Sequence, residues 1–156
     1  MLEKTIGEIL ARRQMTLAVA ESCTGGLLGS LITDVPGSSA YFVGGVVSYS
    51  NEAKSRILRV PDEMLRQHGA VSEDVALAMA RGARELFQVD VALAVTGIAG
   101  PAPNRSKPVG LVYVALAASD LESGREFRWT GDRLTNKRRS AEAALQLLLD
   151  YLERLS

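Results

Sequence analysis

The sequence predicts an α/β fold: a three-layer α/β/α domain over residues 1–156, built on a mixed, mostly buried sheet. Three observations carry this. Helical periods and short apolar runs alternate in the order α-β-α-β-α-α-α-β-β-β-α, and interleaving of that kind lays helices on a sheet. The strand segments are almost continuously apolar, as strands covered on both faces are. No repeat, linker or low-complexity block divides the 156 residues, a length at which one core buries roughly 70% of the unfolded surface.

Each element has its own signal. Leu2, Ile6, Ile9 and Leu10 share a face at helical spacing, so residues 2–13 form an amphipathic helix. "MTLAVA" (15–20) is a buried strand, and Gly25-Gly26 opens a helix over "LLGSLITDV" that stops before Pro36-Gly37. "YFVGGVVSYS" (41–50) is a second strand whose paired glycines, Gly44-Gly45, mark a bulge or a close backbone approach. Asn51 is the expected N-cap of the next helix, over "NEAKSRILRV", which Pro61 ends; a short helix then runs from Pro61-Asp62 to about Gln67. Ser72 caps a helix over 72–87 whose inward stripe is Val75, Met79, Ala83 and Leu86. "VDVALAVTGIAG" (89–100) is a third buried strand running into a glycine-rich loop, "PVGLVYVALAAS" (108–119) a fourth, and "REFRWTGD" (125–132) alternates as an edge strand does. The last helix covers about 135–154, with Ala141, Ala144, Leu145, Leu148, Leu149 and Leu152 turned inward.

Composition narrows the function. The chain is 47% hydrophobic and 23% charged, and its 18 basic and 18 acidic residues cancel. Balanced charge argues against nucleic acid as a partner. No apolar run approaches the ~18 residues of a membrane span. Charge throughout residues 1–15 argues against a signal peptide. A single cysteine, Cys23, leaves no intramolecular disulfide and suits a reducing cytoplasm. With one cysteine and one histidine, His68, a Cys/His-rich metal site cannot form within one chain; no metal ligand and no cofactor is assigned.

The chemistry concentrates in "AVAESCTGG" (18–26), where a strand delivers Ser22, Cys23 and Thr24 to the start of a helix. Such a turn gathers backbone N–H groups that suit an anion or a developing negative charge. It also suits a plain strand-to-helix turn in which Ser22 or Thr24 is the cap. Cys23 is the rival nucleophile, or else a small buried side chain; alternation points it away from Ser22. For a base, His68 sits where a histidine commonly caps helix carbonyls. The lysines are more telling, since there are only four against 14 arginines. Arg cannot deprotonate usefully, whereas a desolvated Lys can. Lys54 lies one turn beyond a strand end, either solvated or held in a cleft as the partner of a Ser-Lys pair. Tyr49 ends the same strand and offers a phenol. "AVTGIAGP" (94–101) brings Thr96, Gly97 and Gly100 to a strand end, where open α/β sheets place ligand groups. "GDRLTNKRRS" (131–140) gathers Arg133, Lys137, Arg138 and Arg139, a solvated face or a phosphate clamp.

In combination, "AESCTGG", "GVVSYSNEAK", "GAVSEDVALAMARGAR", "AVTGIAGP", "KPVG" and "GDR" closely resemble the C-terminal domain of the CinA (competence/damage-inducible) family, from about residue 2 to 153. Its stand-alone members are nicotinamide-nucleotide amidases. The resemblance implies hydrolysis of nicotinamide mononucleotide to nicotinate mononucleotide and ammonia without a metal, by a cytoplasmic homo-oligomer acting on a small-molecule nucleotide. It places the nucleophile at Ser22, its base partner at Lys54 and further catalytic groups at Tyr49 and Thr96. It implies substrate contacts from Glu21, Thr24, Gly25, Gly26, Asn51, Gly97, Gly100, Lys137 and Arg138, with backbone N–H groups near Gly25-Gly26 holding the oxyanion or the phosphate. The chain departs from the family at two places. "APNRS" (102–106) replaces a glycine-rich stretch, and either Lys137 or Arg138 fills a position where the family carries Arg. The second reading is therefore a catalytically weakened nucleotide-binding or protein-interaction module.

Overall fold

The computed structural model describes residues 1–103 and 107–155. Eleven elements follow in the expected order: α1 (Leu2–Arg13), β1 (Leu17–Glu21), α2 (Leu27–Thr33), β2 (Phe42–Val47), α3 (Asn51–Leu58), α4 (Asp62–His68), α5 (Glu73–Phe87), β3 (Val91–Gly97), β4 (Leu111–Ala118), β5 (Glu122–Arg128) and α6 (Arg133–Arg154). A 3₁₀ turn, Ser38–Ala40, precedes β2. The strands form one five-stranded sheet in the order β2-β1-β3-β4-β5. β1 runs parallel to both β2 and β3, and β4 and β5 are antiparallel additions, so the sheet is mixed.

Both faces are covered. On one side α1, α2 and α6 bury Leu10, Leu17, Leu93, Leu116, Leu145 and Leu148; on the other, α3, α4 and α5 bury Leu58, Val75, Met79 and Ala83 against the alanines of β1 and β3. Each such leucine or valine taken from water stabilises the fold by about 1.5–3 kcal/mol. β1, β3 and β4 are buried almost end to end, whereas β2, at the edge, alternates between half-buried and exposed. That edge position explains why its apolar Val43 and Val47 stay in solvent.

The paired glycines of β2 serve close approach and a bulge together. The β1–β2 register slips between Leu17 and Ala18, skipping Val43. A Cβ on Gly45 would lie 2.6 Å from Val19 Cγ2, and one on Gly44 2.8 Å from Phe87 Cε1. Gly82 does the same for α5, since a Cβ there would lie 2.0 Å from the Leu58 carbonyl oxygen. α3 therefore sits directly on α5, and this contact fixes the helix that carries Lys54.

Several boundaries differ from the sequence expectation. Ser50, not Asn51, caps α3: its hydroxyl accepts from the Ala53 N–H and Asn51 is the first helical residue. Both residues are good caps, so local preference alone does not choose between them. Leu86, one residue before the end of α5, is exposed and lines a surface hollow with Ile57 and Arg59 rather than facing the sheet. β5 spans Glu122–Arg128 rather than 125–132, set by its pairing with β4. Leu149 is half-buried. Among the described residues, no helix is long and apolar enough to cross a membrane.

Candidate active site

Three parallel strands converge on one point. β1 lies between β2 and β3, so its carboxyl end is flanked by Ser48-Tyr49 after β2 and by the glycine-rich loop after β3. Ser22 leaves β1 still tied to the sheet, its N–H donating to the Val95 carbonyl at 3.0 Å. On the other flank the Ser48 N–H donates to the Glu21 carbonyl at 2.8 Å.

Lys54 reaches this point from the first turn of α3. Its side chain is only 1% exposed and its Nζ lies 3.0 Å from Ser22 Oγ. The same nitrogen donates to the backbone carbonyls of Ser48 at 2.8 Å and Tyr49 at 3.1 Å. Loss of hydration lowers the Lys54 pKa from its ordinary 10.5 to about 8. A neutral amine has two N–H groups and one lone pair. The two carbonyls take the two N–H groups, which leaves the lone pair facing Ser22 Oγ. The Ser48 hydroxyl is fully buried beside this group with no partner among the described residues.

The turn after Ser22 is organised by Glu21. Its carboxylate accepts from the Thr24 hydroxyl at 2.6 Å and from the N–H groups of Gly26, Leu28 and Gly29 at 2.9–3.1 Å. It is 2% exposed and serves as the anion at the N-terminus of α2, a placement that the helix dipole favours. Four of the residues expected at the substrate are thus engaged within the turn itself. Glu21 and Thr24 hold it together. The Gly26 N–H is taken by Glu21, and the Gly25 N–H donates to the Ser22 carbonyl, so neither glycine offers an N–H for a phosphate or oxyanion. The Cys23 N–H lies against its own thiol, and the Thr24 N–H has no acceptor among the described residues. The glycines remain necessary for the backbone, with φ of +60° at Gly25 and +107° at Gly26.

Cys23 turns into the core beneath α2, and burial pushes its thiol up to about 12. It is no nucleophile. His68 ends α4 as expected, but its Nε2 lies 3.1 Å from Asp74 Oδ2 and it takes no part in the Ser22 group. Thr96 is buried and its hydroxyl donates to the Ala70 carbonyl at 2.8 Å, tying β3 to the α4–α5 turn instead of reaching Lys54. Asn51 is exposed and faces a shallow surface hollow with Glu52, Asp62, Leu65 and Arg66, away from Ser22. Gly97 is a close-approach residue, where a Cβ would lie 2.5 Å from Val112 Cγ2.

The late basic segment divides cleanly. Lys137 Nζ lies 3.9 Å from the place a Cβ would occupy on Gly25, so this lysine faces the Ser22 turn. Arg138 points elsewhere, its Nε 3.5 Å from Glu142 Oε1 on the exposed side of α6. Of the two, Lys137 is the one at the site. Arg133, from the basic segment, and Asn136, which the sequence did not assign, complete the wall. Arg133 donates from Nη2 to the Tyr49 hydroxyl at 3.0 Å and from Nη1 to the Gly100 carbonyl. Asn136 is fully buried, donating to the carbonyls of Ala99 and Gly131 and accepting from the Gly131 N–H. A polar side chain inside an apolar helix stripe was the available signal for Asn136. Of the 102–106 stretch, residues 104–106 lie outside the described residues.

A family model for the CinA C-terminal domain matches residues 1–152. The chain belongs to the CinA family. A CinA-like protein of Geobacter sulfurreducens is 51% identical over 148 residues, 94% of this chain and 36% of its own length. Two CinA-family crystal structures superpose on nearly the whole fold. They are a competence damage-inducible protein A of Klebsiella pneumoniae (33% identity, TM-score 0.96, covering 99% of this chain and 97% of that one) and a competence/damage inducible protein of Agrobacterium tumefaciens (38%, 0.93, covering 97% and 93%). The chain spans 36–38% of the length of the curated relatives it matches. These CinA relatives are described by competence and damage induction, words that name no reaction.

Proposed function

We propose that the chain hydrolyses the carboxamide of nicotinamide mononucleotide, releasing nicotinate mononucleotide and ammonia, with Ser22 as nucleophile and Lys54 as base. The observation that carries this reading is the buried Lys54 Nζ, 3.0 Å from Ser22 Oγ and held by two carbonyls. An amine in solvent near a serine does little; one desolvated to a pKa of about 8 is about one-quarter neutral at pH 7.5 and is replenished by fast exchange.

In the proposed reaction, neutral Lys54 accepts the Ser22 proton as Oγ attacks the amide carbon. The lysine is then an ammonium whose N–H groups face Ser48 O, Tyr49 O and the reacting centre. The Thr24 N–H, unspent on Glu21, is the donor left for the oxyanion. Collapse of the tetrahedral species expels ammonia, which takes its proton from Lys54. Lys54, neutral again, removes a proton from the water that attacks the acyl-serine and returns it to Ser22 Oγ as the ester C–O bond breaks. The nucleotide's phosphate meets the cationic wall of α6, with Lys137 foremost.

The test is direct. Purified chain incubated with nicotinamide mononucleotide releases ammonia and nicotinate mononucleotide in equal amounts, and S22A abolishes both without lowering the melting temperature. Turnover that survives S22A refutes the mechanism; no turnover by the wild type refutes the activity.

A further inference from the structure

Side chains alternate across a strand, so sheet register decides which of them share the face on which Lys54 lies. Ala18 and Ala20 of β1, Ala92 and Ala94 of β3 and Val46 of β2 turn toward α3, α4 and α5. Two residues further on, the same alternation brings Ser22, Thr96 and Ser48 to that face. Ser22 and Thr96 meet their partners there, Lys54 of α3 and Ala70 between α4 and α5. Register also sets the three at one level, since Glu21 pairs with both Val47 and Val95 and the next residues are Ser22, Ser48 and Thr96. The ladder continues through this level, with the Ser22 N–H on the Val95 carbonyl at 3.0 Å and the Ser48 N–H on the Glu21 carbonyl at 2.8 Å. Three hydroxyls thus stand in a row across adjacent strand ends, on backbones about 4.8 Å apart, with Ser22 in the middle.

The three differ in what they bind. Ser22 Oγ is on Lys54 Nζ at 3.0 Å, and Thr96 donates to the Ala70 carbonyl at 2.8 Å. Ser48 is fully buried, and its hydroxyl has no partner among the described residues. A buried hydroxyl left unpaired costs stability, and alanine would avoid that cost. Beside a reacting atom an unpaired donor has a use, because it is free for charge that appears only during reaction. As Ser22 hands its proton to Lys54, its Oγ becomes negative. Lys54 already donates to the carbonyls of Ser48 and Tyr49 at 2.8 and 3.1 Å, and Thr96 is spent on Ala70. In this row Ser48 is the hydroxyl with an O–H still to give.

We propose that Ser48 is a second hydroxyl of the catalytic group: turned about its Cα–Cβ bond, it donates its O–H to Ser22 Oγ as that oxygen attacks, and again as it leaves the acyl-serine. No proton is transferred at Ser48; it supplies a hydrogen bond that is made in the transition state and absent at rest. This rests on the reading of Ser22 as the nucleophile. The bond forms with the charge on Oγ and not with the substrate, so it raises kcat and leaves KM alone. Its loss carries no penalty in stability, because at rest the hydroxyl bonds nothing among the described residues.

The experiment measures the nucleophilicity of Ser22 without any nucleotide. A fluorophosphonate probe reacts with an activated serine as Oγ displaces fluoride from phosphorus, and peptide mass spectrometry locates the adduct and gives its rate. Wild type, S48A and S48T are compared across the titration of Lys54. The ionisable neighbour whose charge bears on that lysine is Cys23, and S48A leaves it in place. Wild type labels at Ser22. S48A labels about 10- to 100-fold more slowly at every pH, the worth of one hydrogen bond to a charged oxygen. Its midpoint stays near 8, and its melting temperature is no lower than that of wild type. S48T keeps a hydroxyl and stays within about threefold of wild type; if its extra methyl lowers the melting temperature, S48C, a weak donor of similar shape, replaces it with a rate between those of serine and alanine. An S48A rate equal to wild type overturns the proposal, as does an equal loss in S48A and the donor-bearing variant. A midpoint that moves in S48A also overturns it, since Ser48 would then act by seating Lys54, and so does a fall in melting temperature, which would mark the hydroxyl as a structural bond. Absence of labelling at Ser22 in wild type overturns it too. Labelling with the expected S48A loss, but with no ammonia released from nicotinamide mononucleotide, sustains the role of Ser48 and removes only the amidase reading.

Discussion

Replacing Lys54 by methionine separates its two consequences, one for stability and one for activity. The side chain is 1% exposed and its pKa falls from 10.5 to about 8 on folding. The unfolded chain therefore binds more protons than the folded one between those values, and stability rises with pH across that window. Worked through, burying the ammonium costs about 3 kcal/mol at pH 7 and about 1 kcal/mol at pH 9.5. K54M removes this titration while filling a similar volume, at the expense of two carbonyls left without their donor, each worth about 1 kcal/mol. Wild type should thus gain about 2 kcal/mol of stability relative to K54M between pH 7 and pH 9.5, and well under 0.5 kcal/mol between pH 6 and pH 7. Urea denaturation of both proteins at the three pH values measures this. A stability difference that stays flat across the whole range would mean that the amine folds with its ordinary pKa, and the argument for Lys54 as a base at neutral pH would fall with it.

Further outcomes follow from the same geometry. The kcat of ammonia release should rise with pH through an apparent pKa near 8 as Lys54 loses its proton, and K54M should lower kcat by about 10²–10⁴-fold; a profile flat from pH 6 to 9 contradicts the assignment. E21Q keeps the size of the side chain but replaces one accepting oxygen with a donor that faces an N–H of α2, and should lower stability by about 1–3 kcal/mol in urea; an unchanged midpoint would mean the carboxylate is dispensable as a cap. G82A reverses the usual benefit of alanine in a helix. Its Cβ would lie 2.0 Å from the Leu58 carbonyl oxygen, pushing α3 off α5, with an expected loss of about 1–3 kcal/mol and a fall in activity as Lys54 moves. Wild-type stability in that variant would show that α3 moves freely.

The layers and the order of elements were legible because the signals were local: Leu2, Ile6 and Leu10 at helical spacing, and the apolar runs of β1, β3 and β4. Lys54 was legible for a different reason, as one of few lysines set just after a strand end. What local pattern could not reveal was how partners share the available hydrogen bonds. Glu21 reads as a polar residue beside the serine, yet its oxygens bind Thr24, Gly26, Leu28 and Gly29, and only the folded turn shows that the N–H groups assigned to a ligand are already engaged. Thr96 likewise sits in the expected loop but spends its hydroxyl on Ala70. Arg133 was one of a run of cations, and its bonds to Tyr49 and Gly100 needed the strand order that places those two residues on either side of Ser22.

The chain's one thiol lies next to the serine in sequence but is buried in the apolar core. Cys23 is 6% exposed with its pKa pushed up to about 12, so at neutral pH only about one molecule in 10⁵ carries the reactive thiolate. A cysteine introduced on the outer surface of α6 would then be the single position open to a maleimide dye. The native sequence can serve unaltered as the background for fluorescence work on substrate entry.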